Sequence, residues 1–155
     1  MLIGGPLERN PKVQVEYFKH IEHRGDRCEF CHLTPEDDLQ IQRGLAPKAT
    51  QWVIANAFPY EIWEDMIVAD HLLVVPKRHI IGKNEFSPEE WEDYKTIIEE
   101  YEADGYADYS RPPKSKAKSV AHQHTHLIKH DESKPPVQRL TYTRNPHFVY
   151  YELNK

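Results

Sequence analysis

Three histidines stand at alternate positions in Ser119-Val-Ala-His122-Gln-His124-Thr-His126-Leu-Ile128. In a strand successive side chains point to opposite faces, so the spacing predicts His122, His124 and His126 in one row, with Gln123, Thr125 and Leu127 turned away. Such a row is costly: protonated rings repel one another, and neutral rings need partners for both nitrogens. An exposed histidine-rich strand, a metal array and a phosphoryl-transfer site all meet that demand. We read the row chiefly as the third, because an imidazole whose tautomer is fixed by a neighbour can attack phosphorus. Such a nucleophile must be neutral, and its pKa starts near ~6.5 before its surroundings act on it.

Two other groups of residues could carry chemistry. Cys28-Glu-Phe-Cys31 holds both cysteines of the chain. Followed by His32, the pair fits covalent haem attachment by pattern, but that chemistry belongs to exported proteins and no export signal is visible. A redox dithiol would want a βαβ context that does not follow. Tetrahedral zinc would need two nitrogen ligands from elsewhere in the chain. The segment Ser110-Arg-Pro-Pro-Lys114-Ser-Lys116-Ala-Lys118 is basic. It is either a solvated loop or a set of phosphate donors in Lys114, Lys116 and Lys118.

The elements that must hold these residues are short. Residues 14–23 carry Val15, Phe18 and Ile21 at helical spacing, with Gly25 as a stop. Residues 34–50 are proline-punctuated loop with a weak strand over 39–42. Residues 51–56 and 71–75 are β-prone and end at Pro59 and Pro76, which predicts an antiparallel pair. Ser87-Pro88-Glu89-Glu90 is a capping box before the stripe Trp91, Tyr94, Ile98, Tyr101, expected to be core-facing. Residues 103–118 read as a mobile loop, 121–128 as a strand and 148–151 as a last strand. Strands and helices without regular βαβ alternation predict an α+β domain, a mainly antiparallel sheet with helices packed on one side.

Composition narrows the class. A chain of 155 residues has the length of one domain, so a single domain is expected over 1–155, its core over 14–151, with a mobile N-terminal end. The net charge of -5 argues against an extended nucleic-acid surface or an anionic membrane partner. Any phosphate binding must be local. The first residues lack a signal-peptide pattern, and no apolar run approaches the ~20 residues of a membrane span, so a cytoplasmic setting is expected. The mean hydropathy of -0.78 fits a heavily solvated surface.

Taken in order, Asn56-Ala-Phe-Pro-Tyr60, His71-Leu-Leu-Val-Val-Pro-Lys-Arg-His79, the capped helix from Ser87 and the row 119–128 resemble the histidine-triad superfamily. The resemblance spans roughly residues 28–128. It implies a nucleotide-binding α+β fold, usually a homodimer, acting through a nucleotidyl-histidine intermediate on the middle histidine. His124 is then the nucleophile, His126 orients and contacts phosphate, Ser119 assists the leaving group and Asn56 sits near the ribose. One branch of the superfamily binds zinc, which here maps to Cys28, Cys31, His79 and His122, with His32 as substitute for His79. Many relatives carry a glycine-rich loop before the serine, where this chain is basic. Relatives that pass the nucleotide to phosphate or a sugar phosphate carry glutamine third in the triad, so His126 favours water as acceptor. The expectation is a hydrolase of a nucleoside phosphate or dinucleoside polyphosphate. Its rivals are a nucleotidyltransferase or phosphorylase of the same superfamily and a zinc-stabilised nucleotide-binding module with little turnover. Phe58, Tyr60 and Trp63 could stack a base. His20, His23, His71, His130 and His147 read as surface or structural.

Overall fold

The apolar run from His71 to Val75 lies at the centre of a sheet, in the computed structural model that describes residues 7–137, 139–144 and 147–152. In chain order come β1 (Leu7–Glu8), α1 (Pro11–Arg24), the single turn α2 (Leu39–Gln42), β2 (Gln51–Ala55), β3 (Ile62–Trp63), β4 (Met66–Pro76), α3 (Pro88–Ala103), β5 (Tyr106–Tyr109), β6 (Thr125–His130), β7 (Arg139–Arg144) and β8 (His147–Glu152). Strand order is β1-β3-β4-β6-β5, with β2 also on β4; β7 and β8 form a separate hairpin. Every pairing is antiparallel. The class is therefore α+β. Of the expected mobile end before residue 14, residues 1–6 lie outside the described residues, and the rest holds β1 and the start of α1.

Strand alternation divides the core in two. Val53, Leu72, Val74 and Leu127 point to α3, where Tyr94, Ile97 and Tyr101 meet them at helical spacing. Ile54, Leu73 and Val75 point to the other face and pack with Phe30 and Val120. His71 and His126 share the parity of Leu73, and Leu73 pairs with His126 in register, so both rings lie on that second face.

The capping box of α3 forms as expected: Glu90 N–H donates to Ser87 Oγ at 3.2 Å and Ser87 N–H to Glu90 Oε2 at 2.7 Å. The stripe differs from expectation. Trp91 is 44% exposed, and the fully buried residue at the centre of the helix is Ile97. Residues 39–42 form a helical turn rather than a strand, because Asp38 caps it, accepting from Gln40 N–H at 3.0 Å. Within the expected loop 103–118, Tyr106–Tyr109 pairs with β6 and places Tyr109 opposite His126. Finally, β6 begins at Thr125, so of the triad only His126 lies in regular strand.

Candidate active site and metal centre

His122 and His124 precede the strand, and the backbone between them is engaged outside the sheet ladder. Gln123 N–H donates to Ile80 O at 2.6 Å, and the His122 carbonyl accepts from His124 Nδ1 at 2.8 Å. A carbonyl can only accept, so His124 is protonated on Nδ1 and its Nε2 carries a lone pair. Burial pushes its pKa from ~6.5 to about 4, well below the sequence expectation, so the ring is neutral at neutral pH.

His126 has the opposite polarity. The Tyr60 backbone N–H donates to His71 Nδ1 at 3.0 Å, so a neutral His71 carries its proton on Nε2, 2.9 Å from His126 Nδ1. His71 therefore donates, and His126 holds its own proton on Nε2. Burial lowers His71 to about 3 and His126 well below the usual histidine range, so both stay neutral. The rings of His124 and His126 lie 5.2 Å apart, edge to face. Side by side they offer one lone pair and one N–H. His71, read in the sequence as surface or structural, is 3% exposed and fixes the tautomer of His126. Its parity on β4 was the available signal.

A cavity of about 450 Å³ opens beside these rings, within the range of small-molecule sites. Phe30, Leu33, Ile54 and Phe58 give it apolar walls, and Asn56, Ser119, His124 and His126 line it. Asn56 also closes the turn after β2, its Oδ1 accepting from Phe58 N–H at 2.9 Å. Of the candidate stacking residues, only Phe58 lines this cavity. Tyr60 stacks on His71 with centroids 4.7 Å apart, and Trp63 sits against His130.

A smaller cavity of about 80 Å³ adjoins it, also lined by Ser119, His124 and His126. Lys118 reaches this space while Nζ donates to Ile81 O at 2.9 Å, and burial lowers its pKa. Lys114 and Lys116 are exposed and line neither cavity, so the structure brings only one of the three lysines to the site.

Cys28, Cys31, His79 and His122 form one cluster, all four ligand atoms within 4.8 Å of one another. Cys31 Sγ is 3.1 Å from His79 Nδ1 and 3.7 Å from His122 Nδ1, and Cys28 Sγ is 3.4 Å from His122 Nδ1. Tetrahedral zinc would hold sulfur and nitrogen ligands roughly 3.5 Å apart, so the donor set fits. His122 Nε2–H donates to Pro76 O at 2.8 Å, which leaves Nδ1 unprotonated towards the cluster. His32 is exposed and outside it.

No family model matches the chain, and no curated protein matches it in sequence. Among solved structures it is similar to a HIT family hydrolase from Clostridium thermocellum, at 19% identity and a TM-score of 0.46, covering 72% of this chain and 97% of that one. It is also similar to a HIT family hydrolase from Legionella pneumophila Philadelphia 1, at 20% identity and a TM-score of 0.44, covering 71% and 98%. A histidine triad nucleotide-binding protein from Candida albicans aligns at 21% identity and a TM-score of 0.42, covering 69% and 78%.

Proposed function

We propose that this chain is a histidine-triad nucleotide hydrolase that cleaves at the α-phosphorus with His124 Nε2 as nucleophile. One observation carries the reading: adjacent buried rings expose a lone pair on His124 and an N–H on His126, each tautomer fixed by a backbone group, at the junction of two cavities. A phosphoanhydride is kinetically inert, so its cleavage needs an uncharged nucleophile in line and donors for the equatorial oxygens.

The lone pair of His124 Nε2 forms a P–N bond as the bond from phosphorus to the leaving oxygen breaks, its electron pair going to that oxygen. His126 Nε2–H offsets the charge on the equatorial oxygens, and the Ser119 hydroxyl donates to the leaving oxygen. Water then attacks phosphorus, the P–N bond breaks with its pair returning to Nε2, and the proton of the water passes to solvent. A nucleoside monophosphate is released. Zinc held by Cys28, Cys31, His79 and His122 would cross-link the chain, since four protein ligands close the coordination sphere to substrate.

Replacing His124 with Asn tests this. Turnover of diadenosine tetraphosphate should fall by several orders of magnitude while its binding changes little. A variant that turns over as the unaltered protein does, or an unaltered protein inert on nucleoside polyphosphates, would remove the reading.

A further inference from the structure

The small cavity gathers three cations from distant parts of the chain. Arg9 follows β1, whose pairing with β3 fixes its backbone. Its Nε donates to Phe58 O at 2.9 Å, and its guanidinium carbon lies 4.0 Å from the Tyr17 ring centroid and 4.7 Å from that of Tyr60. Arg111 comes two residues after Tyr109, which β5 pairs with His126, and its guanidinium lies 5.5 Å from the Tyr109 ring. Lys118 is the third. The cavity has no acidic residue in its lining, and among the described residues none of the three cations has a carboxylate partner.

Converging unpaired cations repel one another, and in a chain of net charge -5 carboxylates were available to pair them. The plainer account makes Arg9 a strap that holds the N-terminal segment through its two tyrosines. That explains Arg9 alone, and not the approach of Arg111 and Lys118 to the same space. The cavity has roughly the volume of two to three waters, room for one tetrahedral oxyanion. The large cavity has Glu29, Glu36 and Asp37 in its lining, and the one arginine or lysine there is the shared Arg9, at the side of the small cavity, so a phosphate chain is repelled from the rest of it.

We infer that Arg9 and Arg111, with Lys118, form an anion subsite beside His124 and His126 that receives the leaving group, selecting nucleotides in which that group is itself a phosphate. The substrates are then nucleoside diphosphates and longer or bridged polyphosphates. The inference rests on the hydrolase reading for the words "leaving group", while the anion site stands on its own geometry.

Binding of inorganic pyrophosphate by calorimetry tests the site without turnover. The full chain should bind it, Arg111→Gln and Arg9→Gln/Arg111→Gln should weaken binding roughly tenfold or more, and Arg9→Lys should retain most of it, with melting temperatures little changed. Kinetics then test the role: kcat/KM for ADP should fall by a similar factor in the double variant, while kcat/KM for adenosine 5′-phosphoramidate, whose leaving group is uncharged, should hold. Unchanged pyrophosphate affinity overturns the subsite. Equal losses on the two nucleotides overturn its assignment to the leaving group and give the arginines to the α-phosphate. If neither nucleotide is cleaved by the unaltered protein, the hydrolase reading fails and pyrophosphate binding still decides the subsite.

Discussion

His71 controls the site without lining either cavity. By holding its proton on Nε2 it obliges His126 to present an N–H, so a single backbone donor, Tyr60 N–H, propagates through two rings. Burial keeps His71 neutral, its pKa at about 3 against ~6.5 for an exposed histidine. His126 is lowered for the same reason. The unfolded chain therefore binds more protons than the folded one between those values. Stability from these rings is complete above ~6.5 and is lost progressively as pH falls towards 3, by about 1.4 kcal/mol for each unit of separation. Urea melts at constant ionic strength should show the midpoint falling between pH 6.5 and 4. A flat midpoint over that range would mean that these rings are not buried neutral in solution.

At the scale of elements, the cysteine–histidine cluster brings the turn after α1 to the paired ends of β4 and β6. Cys28 and Cys31 flank a turn after α1, His79 follows the end of β4, and His122 precedes β6. The purified protein should contain one zinc per chain, and a strong chelator should lower its melting temperature. Cys31→Ser should destabilise more than it impairs chemistry in the protein that stays folded. Metal-free protein of unchanged stability would show the cluster to be a chance approach. The Cys28–Cys31 pair, the alternate histidines and the cap of α3 were legible in the sequence as local motifs, and the resemblance pointed to His79 and His122 as the residues that the structure brings beside the cysteines. What was not legible depends on pairing across the chain. Tyr106–Tyr109 reads as loop because Ala107 and Asp108 face solvent and only Tyr106 is buried, so no apolar pattern marks the strand. Leu39-Gln-Ile-Gln42 alternates like a strand, yet Asp38 starts a helical turn there. Trp91 fits the helical stripe but stays exposed, packing edge-on against Phe86 and Tyr94 while Ile97 is buried in the core. Arg9 and Arg111 carry no motif at all; strand pairing brings them to the site.

Across the molecule, charge is sorted rather than absent. In a chain of net charge -5, only the larger of these two cavities has acidic residues in its lining, and the two cavities share Arg9, Tyr17, Ser119, His124 and His126. Among the described residues no helix is long and apolar enough to cross a membrane. On the proposed reading, a nucleotide would lie with its nucleoside towards Phe30 and Ile54, its phosphates towards Arg9 and Arg111 and its α-phosphorus against His124. The account stands on the covalent step at that junction. Rapid acid-free quenching of the full-length protein with a nucleotide labelled at the α-phosphorus measures it directly. The label should appear on the peptide containing His124 as an acid-labile, base-stable phosphoramidate, and should be absent from His124→Asn. Turnover with no label on protein, or label on another residue, would contradict the account.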